Sequence, residues 1–169
     1  ALEQAFSEPA AAFVAEPVQG EGGVLPLPKE FLTRAHELCK EQKALFLLDE
    51  VQIGMGRSGH YFAFQHYGLT PDAVSLAQGL GGGFPIGAII IADQFADIIG
   101  PGTHGSTFGG NHLAAAVSYE LIRTIESQNI LAHVQKSADL FSDLLSKLLK
   151  KYPNIAKEER GLGLLRGLV

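Results

Sequence analysis

Two short runs constrain the fold of this chain more than anything else in its sequence. One is Ala44-Leu45-Phe46-Leu47-Leu48, closed by Asp49-Glu50-Val51-Gln52; the other is Val74-Ser75-Leu76-Ala77, closed by Gln78-Gly79-Leu80-Gly81-Gly82-Gly83. Each is a mostly apolar segment of strand length that ends in a polar residue and a glycine-containing loop. Open α/β sheets build their ligand sites in this way, at the carboxyl ends of their strands. The expectation is an α/β fold in which Asp49 and Gln78 close two neighbouring strands.

The remaining segments fit that frame. Ala10 to Ala15 predicts a strand that stops at Glu16-Pro17, because Pro17 has no N–H to donate to a ladder. The loop Val18 to Val24 combines glycines with Gln19 and Glu21, a mixture suited to binding rather than mere connection. From Pro28, the apolar residues Phe31, Leu32, Ala35, Leu38 and Cys39 recur at helical spacing. That helix leads into the strand Ala44 to Leu48, giving a strand–helix–strand unit expected to be parallel and right-handed. Further on, the pattern predicts a short helix over Tyr61 to Tyr67, a strand over Ala73 to Leu76 and a buried strand over Ile86 to Ala92. A short helix is expected over Phe95 to Ile99, then a loop from Gly100 to Asn111. Helices follow over His112 to Glu126 and Leu131 to Lys150, separated at Asn129. Gly163 to Val169 reads as the opening strand of a further unit.

Composition removes several functions. A net charge of −5 without a Lys/Arg run argues against nucleic acid, whose backbone is bound through clustered basic residues. The longest apolar run, Gly83 to Ala92, is half of the ~20 residues a membrane helix needs, so no membrane span is expected. The single cysteine, Cys39, cannot form an internal disulfide and reads as a small buried hydrophobe in a reducing compartment. The histidines His60, His66, His104 and His112 lack metal-ligand spacing. With Ala at position 1 and no signal-peptide pattern, the sequence reads as a piece of a larger chain.

Gly54-Met55-Gly56-Arg57-Ser58-Gly59 matches the glycine pattern of dinucleotide-binding turns. Its context does not: the glycines begin several residues beyond the strand, and no acid stands about 20 residues on. Gly100 to Gly105 matches with no strand entering it, and neither loop ends in the Gly-Lys-Ser/Thr of a phosphate loop. Asp49 is more informative. A carboxylate ending so apolar a strand is costly unless donors or a cation meet it. It either caps a local turn or holds a positive group on a ligand.

Four motifs carry a resemblance to a known family. Glu16-Pro17-Val18-Gln19-Gly20-Glu21-Gly22-Gly23-Val24, Asp49-Glu50-Val51-Gln52 with the loop to Gly59, Gly79 to Ala88, and His104-Gly105-Ser106-Thr107-Phe108-Gly109-Gly110-Asn111 resemble, in order and spacing, the class III pyridoxal-phosphate aminotransferases. The acetylornithine and ornithine branch is the most similar, and the segment resembles its middle. The resemblance implies fold type I, with residues 1–128 belonging to the large cofactor-binding domain and its mainly parallel sheet, and 129–169 beginning the small C-terminal domain. It implies a homodimer with the site at the subunit interface, amino-acid and 2-oxoacid substrates, and a cytoplasmic enzyme, or a mitochondrial-matrix one for the parent protein. The implied reaction moves an amino group from an ornithine-like donor to 2-oxoglutarate.

Residue by residue, the resemblance makes Asp49 the acid that pairs with the protonated ring nitrogen of pyridoxal 5′-phosphate. Val51 packs on the ring and Gln52 bonds its hydroxyl. Ser106 and Thr107 supply phosphate donors to the neighbouring subunit's site. Glu21, supported by Glu16, meets a substrate-binding arginine from a region outside this sequence. Gln78 departs from the pattern, because the family has there the lysine that forms the Schiff base and moves the proton. A carboxamide can do neither, so little or no activity is expected at this position. The alternative is a non-catalytic remnant that binds a ligand or partner. His112, where the family usually has proline, puts the start of the following helix in doubt.

Overall fold

The computed structural model describes residues 1–169. Its centre is a four-stranded sheet made by β1 (Ala12–Ala15), β4 (Leu45–Asp49), β5 (Ala73–Leu76) and β6 (Ala88–Ile91), in that spatial order. β1, β4 and β5 are parallel, with Val14 opposite Leu47 and Asp49 opposite Ser75. β6 returns antiparallel to β5, with Ile89 opposite Ser75. Between β1 and β4 run a small antiparallel hairpin, β2 (Val18–Gln19) and β3 (Leu25–Pro26), and the crossover helix α2 (Lys29–Gln42); α1 (Leu2–Ala5) precedes β1.

The sequence explains α2 closely. Its apolar stripe buries Leu32, Ala35, Leu38 and Cys39, and the helix stops where Lys43 turns left-handed at φ 57°. Lys43 hands the chain directly to buried Ala44 and β4. The stripe meets the sheet face formed by Phe46, Leu48, Val74 and Leu76, and Phe13 stacks on Phe46 at 5.7 Å. Fully burying each such Leu or Phe contributes about 1.5–3 kcal/mol, so this one interface dominates the core. The aromatic segment is shorter than expected, with α3 confined to Phe64–Tyr67, but Phe62, Phe64 and Tyr67 do pack on that core.

The opposite face of the sheet is open. Val14, Leu45, Leu47, Asp49, Ala73, Ser75 and Ile89 project there, and none is buried. Burial along β4 and β5 therefore alternates instead of running through every residue. The expectation of a buried strand over Ile86 to Ala92 is corrected: β6 lies at the sheet edge, with Ile89 68% and Ile90 49% exposed. An apolar run shows strand character, but burial depends on what the rest of the fold places against it.

Beyond a 3-10 turn at Asp93–Ile98 and the loop to Asn111, α4 (His112–Ser127) and α5 (Ile130–Lys151) follow. His112 does not disturb the helix start, because the Asn111 side chain accepts the Ala114 N–H at 2.9 Å and caps it. Asn129, at φ 51°, separates the two helices as expected. The last segment is corrected too. β8 (Leu165–Leu168) is the returning arm of an antiparallel hairpin whose first arm, β7 (Glu159–Leu162), was not anticipated. This hairpin packs Leu162 and Leu165 against a second small core of Val18, Ile53 and Ala63.

Candidate functional site at two strand ends

β4 and β5 finish side by side, and the loops leaving them touch. A Cβ on Gly79, just after β5, would lie 3.1 Å from the Met55 Cβ in the loop after β4. Asp49 is the last residue of β4 and stands on the open face. Its Oδ1 accepts the Val51 N–H at 2.9 Å, so the carboxylate caps a local turn, while no protein group bonds its second oxygen. Capping and ligand contact are thus compatible, with one oxygen for each.

Gln52 reaches from the same loop to the turn after β2. Its carboxamide lies against the Gly20 backbone, where a Cβ would come within 1.2 Å of Oε1. Only glycine permits that approach. Glu16 holds the same turn, its Oε2 accepting the Gly20 N–H at 3.1 Å. Glu21 lies one residue further, exposed and without a hydrogen-bond partner. The structure therefore groups Glu16, Gly20 and Gln52, and joins Val51 to Asp49.

Gln78 opens a 3-10 turn, Gln78–Gly81, directly after β5. Its φ is +32°, a left-handed conformation that side-chain-bearing residues rarely adopt, and its side chain is exposed. Ser106 and Thr107 lie apart from this group. They occupy an exposed loop in which Ser106 Oγ accepts the Gly109 N–H at 2.9 Å, across a groove from Pro85, Ile86 and Gly87. No hydrogen bond links either residue to Asp49, Val51 or Gln52.

The glycines of the Gly54–Gly59 loop have steric tasks. A Cβ on Gly54 would meet the Glu50 carbonyl at 2.6 Å, and Gly56 and Gly59 take φ of +92° and +89°. Gly59 lies against α5, whose Gln135 Nε2 donates to the Gly59 carbonyl at 2.9 Å. The loop feeds turns and a four-residue helix, not the long helix that a dinucleotide turn opens.

One residue escaped the sequence reading. Glu50 is 0% exposed and is the only carboxylate in the core. Its Oε2 accepts the Ala63 N–H at 2.6 Å and its Oε1 the Phe64 N–H at 2.8 Å. Burial pushes its carboxyl up to about 7 against the opposing pull of those two donors. Burial also raises the Tyr67 hydroxyl, with the Glu50 charge adding to it, and that hydroxyl donates to the Pro17 carbonyl at 3.2 Å. Burial lowers His66, whose Nε2 lies 3.0 Å from the Ser58 carbonyl. The signal available in the sequence was strand alternation, which turns the residue after Asp49 to the covered side.

No helix is long and apolar enough to cross a membrane. Comparison with known proteins bears on the whole chain. The aminotransferase class-III family model matches residues 1–168. Acetylornithine aminotransferase 1 of Pseudomonas syringae pv. tomato is 47% identical over 169 residues, all of this chain and 42% of that protein. Succinylornithine transaminase of Salmonella agona is 46% identical over 158 residues, 94% of this chain and 38% of that one. The crystal structure of ornithine aminotransferase from Toxoplasma gondii ME49 superposes with a TM-score of 0.92 at 40% identity, covering 99% of this chain and 40% of that one. Acetylornithine aminotransferase from Elizabethkingia anophelis gives 0.92 at 38% identity, covering 99% and 43%. The chain thus spans about two fifths of the length of these relatives. With α/β strand ends and loops built as described, and a match running from end to end, the chain belongs to the class-III aminotransferase family.

Proposed function

We propose that the protein is the central part of a pyridoxal-phosphate-dependent aminotransferase that moves an amino group from an ornithine-like donor to 2-oxoglutarate. The observation that carries this reading is the strand-end grouping: Asp49 with one uncommitted carboxylate oxygen, beside a Gln52 carboxamide seated on Gly20. These residues fit the non-covalent needs of the cofactor. Pyridoxal phosphate, when bound, supplies an electron sink that works only while its ring nitrogen stays protonated. Asp49 would hold that proton in place by charge, Val51 would pack on the ring and Gln52 would bond its hydroxyl. Ser106 and Thr107 serve the phosphate across a homodimer interface, consistent with their distance in contacts from Asp49 within one chain. Glu21, braced through the Gly20 turn by Glu16, orients the substrate side.

Gln78 does not fit the covalent part. Its lone pair is delocalised into the carbonyl, so it neither condenses with an aldehyde nor takes up a proton near neutral pH. Loss of a positioned proton shuttle costs roughly 10²- to 10⁴-fold in rate. In this reading the chain holds the cofactor reversibly and turns over little or not at all. The same residue favours a second reading, a non-catalytic relative that binds a ligand or partner, because Gln78 leaves the exposed turn after β5 without a reactive amine. Residues 1–128 then form part of the large domain and 129–169 the beginning of the small one, in a cytoplasmic or mitochondrial-matrix protein.

Titration with pyridoxal phosphate followed by absorbance tests the reading. Reversible binding, weakened by Asp49→Asn and leaving no borohydride-fixed adduct at position 78, is expected. Absence of binding, or indifference to Asp49→Asn, overturns it.

A further inference from the structure

Glu50 is the most deeply buried ionisable group near the site, and the proposed chemistry gives it no task. Asp49 and Glu50 are adjacent, so they leave the strand end on opposite sides: one onto the open face, the other into the protein. Inside, the Glu50 carboxylate spans two backbone N–H groups in sequence, Ala63 and Phe64, 13 and 14 residues further along. These amides open α3 and have no helical partner of their own. The intervening segment, Val51 to Phe62, contains neither strand nor helix, yet it carries Val51 and Gln52. The Glu50 carbonyl adds a third tie by accepting the Gly54 N–H at 2.9 Å.

A segment of that length, fixed only at the strand, would sample many exit directions. Two charge-assisted bonds close it at its base, while the Gln135–Gly59 and Leu164–Arg57 bonds hold its outer part. We propose that Glu50 is a positioning residue whose buried carboxylate, bridging the Ala63 and Phe64 amides, locks the 51–63 loop and so fixes the aim of Asp49 and Gln52. This inference rests on the cofactor reading for its purpose, but not for its geometry. The groups that face the clamp are few. Tyr67 on α3 is tied to Pro17, and His66 on the same helix is turned to Ser58.

The test uses the full chain with Glu50→Gln, which keeps the shape with one acceptor, and Glu50→Asp, which keeps the charge one methylene short. Amide hydrogen exchange and pyridoxal phosphate affinity are read together. Both variants are expected to raise exchange at Val51, Gly54, Ala63 and Phe64 about tenfold or more, the equivalent of one charged hydrogen bond, while Leu47, Leu48 and Val74 stay protected. Cofactor affinity falls in the same proportion. Unchanged loop exchange overturns the proposal, as does a uniform increase through β4 and β5, which marks a general core defect. If the variants do not fold, the unmodified chain decides by NMR. The Ala63 and Phe64 amide shifts must follow the titration read at the Glu50 carboxyl carbon, and amide shifts that stay flat through that titration overturn the clamp. Localised loop exchange without cofactor binding breaks the cofactor reading and leaves the clamp. Binding with unchanged exchange breaks the clamp alone.

Discussion

The ends of β4 and β5 are neighbours in one sheet and are built in opposite ways. At β4, Asp49 and Glu50 are tied into the backbone by three hydrogen bonds, and one of the two is wholly enclosed. At β5, Gln78 is exposed, left-handed and without a side-chain hydrogen bond. The first end is held by what its side chains accept, the second by backbone shape alone. Substitution at β4 should therefore tell on folding, whereas substitution at β5 should tell on chemistry and leave the fold almost untouched.

The sharpest attempt to break that contrast is Gln78→Lys. In a protein that also carries the parent's remaining segments, it is expected to convert reversible pyridoxal phosphate binding into a borohydride-fixable attachment and to restore roughly 10²- to 10⁴-fold in transamination rate. Its effect on unfolding free energy should stay within about 0.5 kcal/mol, as for other exposed positions. A large loss of stability would show that the β5 end is as integrated as the β4 end. Next in size is Glu50→Ala, which orphans two buried N–H groups at about 1–3 kcal/mol each. Urea unfolding should register several kcal/mol, and a cost below about 1 kcal/mol would remove the difference between the two ends.

The same carboxylate makes stability depend on pH. Its folded value of about 7 lies above its ordinary 4.5, so between them the folded state binds the extra proton. Stability from this group is complete below about pH 4.5 and is lost as pH rises through 7, by roughly 3 kcal/mol in all. Glu50→Gln should remove that slope, and midpoints measured at several pH values would reveal a variant that keeps it. The smallest effect is expected for Gly20→Ala. Its new methyl displaces the flexible end of Gln52, lowering cofactor affinity with a stability change below about 1 kcal/mol. Full retention of affinity would show that Gln52 does not need its seat on Gly20.

Much of this arrangement was legible because local pattern and burial agree. The α2 stripe and the strands at 45–49 and 73–76 are read from adjacent residues. Asp49 and Gln78 stood out because a polar residue closing an apolar strand needs a reason, whereas Gln52 was marked by the family resemblance alone. What escaped depends on partners distant in sequence. β7 contains Glu159, Arg160 and Gly161 and becomes a strand through its pairing with β8. The two-residue arms of β2 and β3 leave no period to detect. Ile89 looked buried because its neighbours are apolar, and nothing local reveals a sheet edge. Glu50 drew no role from the sequence because its partners, the amides of residues 63 and 64, lie 13 and 14 residues further on.

The small core of Val18, Ile53 and Ala63 is a mechanical joint as well as a packing feature. Through Val24, Leu162 and Leu165 it gathers the Glu16–Glu21 turn, the 51–63 loop and the β7–β8 hairpin around a single pivot. The hairpin tip fits with little clearance: a Cβ on Gly163 would lie 2.4 Å from the Arg57 carbonyl, and the Leu164 N–H donates to that same oxygen at 2.9 Å. Closely packed contacts transmit displacement instead of absorbing it. A shift of this hairpin is therefore expected to carry the 51–63 loop and the Glu16–Glu21 turn together, preserving their spacing.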